Sequence, residues 1–88
     1  MKLHVFQIKE GKQDTWLAWC AYLNTCQEEI EDTLIQENCI YEAAWLIGDR
    51  LLVAANWDGE KKQVDTPLNR QHAQISKECL EKVASFMV

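Results

Sequence analysis

The chain has 88 residues, 48% of them hydrophobic, with one proline and three glycines, which excludes a disordered or low-complexity protein and leaves room for one domain. Its net charge is −5 and its nine lysines and arginines are scattered. The basic stripe needed to neutralise phosphates is missing, so neither nucleic acid nor an anionic membrane surface is an expected partner.

The first seven residues alternate and turn polar too early for a signal peptide, and no apolar run approaches membrane-spanning length. A reducing, cytoplasmic compartment is therefore expected. Cys20, Cys26, Cys39 and Cys79 match neither CxxC nor a zinc spacing and read as thiols. Three of them, Cys20, Cys26 and Cys79, fall on apolar helical stripes as small hydrophobes.

From Lys2 to Lys9 the pattern has the period of a strand, and Glu10-Gly11-Lys12 supplies a turn. From Lys12 the period becomes helical: Trp16, Trp19, Cys20, Leu23, Cys26, Ile30 and Leu34 form one stripe opposite Asp14, Glu28 and Asp32. A helix from Lys12 to Glu37 would be about 39 Å long, more than a short sheet can cover. Thr25 to Glu28 reads as a capping box, so a kink is expected between Asn24 and Gln27, and Gln27 marks it as a polar residue within the stripe. Asn38 tolerates the left-handed conformation of a C-terminal cap and ends the helix.

Cys39 to Ile47 and Arg50 to Trp57 are strand-like and flank Gly48-Asp49, a two-residue hairpin signal. The turn fixes a register from Ile47 opposite Arg50 to Ile40 opposite Trp57. One face then carries Ile40, Glu42, Ala44, Leu46, Leu51, Val53, Ala55 and Trp57. The other carries Cys39, Tyr41, Ala43, Trp45, Ile47, Arg50, Leu52, Ala54 and Asn56. After a polar loop, Thr66-Pro67 reads as an N-cap with proline at the first helical position, and Leu68, His72, Ile75, Cys79, Val83 and Phe86 form the last helical stripe. On this reading a fourth strand is short or absent.

The expected fold is α+β, a ferredoxin-like β-α-β-β-α unit with two helices on one face of an antiparallel sheet, because right-handed crossovers return to the same side. Both hairpin faces are apolar and the helices can cover only one. The aromatic face with Tyr41, Trp45 and Asn56 is then expected to make a homodimer.

Val5 to Lys12, the Trp- and Leu-bearing helix, Ile40-Tyr41-Glu42, Leu68 to His72 and Lys77 to Leu80 together resemble a family of short uncharacterised bacterial proteins. That family is similar in topology to the dimeric α/β-barrel superfamily, which includes cofactor-independent monooxygenases, isomerases and mutarotases. The resemblance implies the fold and dimerisation; any chemistry it implies is analogy.

Glu42, mid-strand on the helix-covered face, and His72, on the inward stripe of the last helix, are the candidate catalytic residues. A carboxylate placed there is costly unless paired, and a histidine could share proton transfer with it, His72 titrating near neutral pH. The same pair could be a structural bridge. Tyr41, Trp45, Asn56 and Arg70 are candidate ligand contacts, although the aromatics equally suit dimer packing and Arg70 a solvated position. His4, Trp16 and Trp19 read as structural. No metal set, glycine-rich phosphate loop or nucleophile elbow is visible, and no cofactor is expected. Two functions follow: a homodimeric domain binding or transforming a small organic molecule by acid/base chemistry, or a noncatalytic dimerisation or protein-interaction module.

Overall fold

The computed structural model describes residues 1 to 88 as seven elements: β1 (Lys2–Ile8), α1 (Gln13–Leu23), α2 (Gln27–Gln36), β2 (Cys39–Ile47), β3 (Arg50–Trp57), α3 (Pro67–Cys79) and β4 (Leu80–Met87). The strands form one antiparallel sheet in the order β2-β3-β1-β4. The fold is thus α+β, with three helices and four strands where two and three were expected.

The long apolar stripe is broken rather than kinked. Asn24 to Cys26 separate α1 from α2, and the Thr25 hydroxyl donates back to the Tyr22 carbonyl at 2.6 Å. It therefore does not cap α2, which begins after Cys26 without a side-chain cap, and the capping box does not form. Gln27 is accordingly the first residue of α2 and not a polar insertion in a continuous stripe. Asn38 does take the left-handed conformation, with φ 64°.

Gly48, with φ 63°, opens the hairpin turn, and the register holds from Ile47 opposite Arg50 to Tyr41 opposite Asn56. It then slips: Cys39, not Ile40, faces Trp57, and Ile40 is the extra residue of a bulge, 65% exposed. An apolar residue at the outer strand's end gains nothing from staying in register when no layer covers it.

The second correction is β4. Val83 and Phe86 continue the helical spacing of α3, yet the helix ends at Cys79 and Leu80 begins a full-length strand beside β1. Without β4, that edge of β1 would present a row of unpaired backbone groups, so sheet pairing overrides the helical spacing. Val83 is the extra residue of a bulge, since Lys82 pairs with Phe6 and Ala84 with Val5. At the other end of α3, the Thr66 hydroxyl accepts from the Asn69 amide at 3.1 Å with Pro67 in the first turn, as the sequence predicts.

The buried cluster joins Ile8, Leu51, Leu68 and Cys79 to Trp16 and Trp19, both 4% exposed. Leu51 lies on the same sheet face as Leu46, Ala44 and Glu42 by register, so all of these face the helices. Tyr41, Trp45 and Ile47 occupy the other face and are exposed, Trp45 at 48%. Buried Trp16 Nε1 has no hydrogen-bond partner. Trp16→Phe removes that orphan donor while keeping an aromatic ring, and should cost little, whereas Trp16→Ala should cost about 3–5 kcal/mol. Urea denaturation of the two variants checks the contrast.

Candidate functional site

Glu42 and His72, thirty residues apart in sequence, line one cavity of about 260 Å³ between β2, α2 and α3. Leu23, Ile30, Leu34 and Leu68 form its apolar walls, while Thr33, Glu37, Lys61 and Asn69 add polar groups that sequence reasoning did not single out. The two candidate residues share this space without a direct hydrogen bond. Of the two roles the sequence leaves open for this pair, the structural bridge is not formed, and the two groups face one volume.

Each group is held differently. Glu42 sits on β2 opposite Ala55, which is buried, so its carboxylate rises from the sheet floor. His72 lies one turn beyond Leu68 on α3, and its Nδ1 accepts a hydrogen bond from Trp19 Nε1 at 2.8 Å. The His72 ring also stacks near the Trp19 ring, with centroids 5.9 Å apart and planes 25° apart, and Trp16 lies tilted at 6.3 Å.

Lys61 reaches the cavity because its loop is tied to the end of α2. Asp58 N–H donates to the Asn38 carbonyl at 2.8 Å, Asn38 Nδ2 to the Glu60 carbonyl at 3.3 Å, and Lys62 N–H to the Glu37 carbonyl at 3.1 Å. The Lys61 ammonium lies 5.6 Å from the centre of the Trp57 ring, within cation–π range. Glu37 at the C-cap of α2 receives a long 3.4 Å bond from Asn69 Nδ2, whose stronger bond goes to the Val64 carbonyl at 2.8 Å. No periodicity in Asp58 to Asp65 announces this strap. Glu37 reads in sequence as one more acid on a solvated helix.

Electrostatics separate the two candidates. Burial raises the Glu42 pKa above its ordinary 4.5, Glu37 raises it further, and Lys61 partly opposes this. Burial lowers the His72 pKa below 6.5, with Lys61 adding to the effect. Both residues keep a substantial share of their surface open, so water screens these shifts. The sequence expectation assigns the near-neutral titration to His72. The two shifts run in opposite directions, and each favours the uncharged form of its group.

The remaining candidates lie elsewhere. Arg70 forms an exposed ion pair with Asp65 at 2.6 Å and does not line the cavity. Tyr41 and Trp45 stand on the open sheet face, as does Asn56, which also borders a shallow groove beside Met1, Lys2 and Trp57. His4 makes a 2.9 Å hydrogen bond with the Ser85 hydroxyl on β4. All four cysteines are free thiols, and no cluster of three or more potential metal ligands occurs. No helix is long and apolar enough to cross a membrane.

Fold and site together define a small α+β protein with a mixed polar and apolar cavity between its sheet and its helices. By sequence it belongs to a family described as a family of unknown function, DUF6176, whose pattern matches residues 1 to 87. No curated protein matches the chain.

The direction of the Glu42 shift fixes a pH signature. With its pKa raised on folding, Glu42 leaves stability intact below the ordinary carboxylate value of 4.5 and withdraws it as pH rises through the folded pKa. Glu42→Gln should therefore unfold at nearly the same temperature as the native protein in acid and at a higher one at neutral pH. His72, with a lowered pKa, acts oppositely: its contribution is present above 6.5 and is lost as pH falls through the folded pKa. Melting curves across this range for the native protein, Glu42→Gln and His72→Gln check both signs.

Proposed function

We propose that this protein binds a small organic molecule in the cavity between β2, α2 and α3 and handles a proton on it through Glu42, with His72 as a neutral hydrogen-bonding partner. The carrying observation is the convergence of Glu42 and His72 on one cavity of about 260 Å³. That volume lies just below the usual range for ligand pockets, roughly 300–1,000 Å³, and suits a compact ligand. Four leucine and isoleucine side chains would hold the ligand's apolar body, while Glu37, Lys61 and Asn69 offer polar contacts. A carboxylate whose pKa is raised by burial is a stronger base when ionised, which suits it to take a proton, and the chemistry needs no cofactor.

The sheet order β2-β3-β1-β4, with helical crossovers on one face, supports the reading of a ferredoxin-like fold of the dimeric α/β-barrel type, its first helix split in two. The four free thiols suit a cytoplasmic setting. A ligand that occupies the cavity should raise the melting temperature, by about 2.7 kcal/mol of stability at a hundredfold excess over Kd. Leu34→Trp, which fills the cavity from α2, should abolish the shift. A screen of small metabolites by thermal denaturation tests the reading. If every compound that stabilises the native protein stabilises Leu34→Trp equally, the cavity is not the site.

The second reading, a homodimerisation or protein-interaction module, is favoured by one observation. Tyr41, Trp45 and Ile47 on β2 and Phe86 on β4 lie exposed on the sheet face opposite the helices. Large aromatic and aliphatic groups gathered on one face are the composition of an interface core. Sedimentation equilibrium at tens of micromolar should give a dimer mass that Trp45→Arg lowers to the monomer. A monomer mass for the native protein overturns this part of the proposal without touching the cavity.

A further inference from the structure

The contact with Trp19 fixes which nitrogen of the His72 ring carries a proton. An indole N–H can only donate a hydrogen bond, so the 2.8 Å contact between Trp19 Nε1 and His72 Nδ1 requires an unprotonated Nδ1. A neutral imidazole then carries its proton on Nε2. To become charged, the ring would have to protonate Nδ1 against the indole hydrogen, and the contact would be lost. Trp19 is 4% exposed and stacked on the Tyr22 ring at 5.5 Å, so the indole cannot swing away cheaply. His72 is thus locked as a donor, while Nε2 makes no hydrogen bond within the protein.

The other charged groups complete the picture. Lys61 is the one cation lining the cavity, and Glu42 is the carboxylate on its sheet floor. A neutral N–H donor and an ammonium lining one small space can stabilise negative charge as it develops on an oxygen, while a carboxylate can take a proton from a neighbouring atom. Resting on the binding reading above, we propose that the cavity takes a small carbonyl compound, its oxygen accepting from His72 Nε2–H and its α-proton moved by Glu42, with Trp19 as the residue that positions the imidazole. In the step, the α C–H bond breaks and its proton passes to the Glu42 carboxylate. The electron pair forms the carbon–carbon double bond of an enolate, whose oxygen carries the charge beside His72 and Lys61. Return of the proton to carbon restores neutrality, and nothing is oxidised or reduced.

Two measurements test this. In the native protein at neutral pH, ¹⁵N NMR of the His72 ring should show a single tautomer, protonated at Nε2 and bare at Nδ1. Trp19→Phe should lose that bias. A charged His72, or one protonated at Nδ1, overturns the assignment in the native protein alone, whether or not the variant folds. The second measurement uses butanone and cyclopentanone as probes, with methylenecyclopentane as the oxygen-free analogue of the latter. The ketones should perturb the amides of Leu34, Leu68 and His72 more strongly than the hydrocarbon does. In D₂O they should exchange α-hydrogen faster with the native protein than with Glu42→Gln, by roughly 100-fold. Equal binding of ketone and hydrocarbon without exchange overturns the carbonyl assignment while leaving the cavity a binding site. If none of the three perturbs the cavity amides, the carbonyl assignment falls, and the metabolite screen with Leu34→Trp then decides separately whether the cavity binds anything.

Discussion

The end of β1 is the point on which the arrangement depends. There the Ile8 amide donates to the Asp49 carbonyl in the hairpin turn and the Lys9 amide donates to the Cys79 carbonyl at the α3–β4 junction, each at 2.8 Å. One strand end thereby fixes where the hairpin turns and where the last helix stops. Between these bonds the chain packs Ile8, Leu51 and Cys79, the last with no exposed surface, against Trp16. Burial raises the Cys79 thiol pKa, which keeps it a neutral, inert packing group. Because α3 is anchored at this end and capped by Thr66 at the other, the position of His72 along it has little freedom.

The break at Asn24 to Cys26 is what makes room for a cavity. A continuous helix along the Trp16 to Leu34 stripe would run straight past the sheet. Two shorter helices let α1 seal the core with its tryptophans while α2 packs over β2. Ile30 and Leu34 of α2 line the cavity together with Glu42 and the α3 residues, Ile30 also packing against the core, while Ile35 points out to solvent. Thr33, buried at the same wall, satisfies its hydroxyl internally by donating to the Glu29 carbonyl at 2.8 Å. Thr33 therefore has no hydroxyl proton to give to the cavity, whose other polar groups are Glu37, Glu42, Lys61, Asn69 and His72.

Much of this was legible in the sequence wherever local chemistry and tertiary packing agree. Gly48-Asp49 set the hairpin register, that register placed Glu42 on the helix side, and the 3.6 spacing from Leu68 placed His72 inward. Thr66-Pro67 and Asn38 marked helix ends by their own backbone preferences. The failures share one cause. β4 carries no glycine or proline at its start, and its apolar spacing suits a helix as well as a strand, so only the free edge of β1 decides its conformation. Ile40 leaves its register because nothing covers it, and Lys61 enters the site through backbone bonds made by Asn38 and Glu37, which no side-chain pattern encodes. The Trp19–His72 bond joins residues on two helices that each look like ordinary stripe positions.

The two sheet faces carry distinct physical problems, and the helices cover only one of them. On the helix side, a buried tryptophan donor, a neutral imidazole, a destabilised carboxylate and one lysine coexist without a complete network of mutual bonds. Desolvation works against charge on both Glu42 and His72, and Lys61 relieves the first while worsening the second. Such an unbalanced set costs stability in an empty cavity, and a ligand that accepts from the imidazole and meets the lysine would remove part of that cost. On the open side, Tyr41, Trp45, Ile47 and Phe86 remain exposed, because no element of the chain packs over them. The ionisable cavity residues and the exposed aromatic residues thus lie on opposite faces of the same four strands.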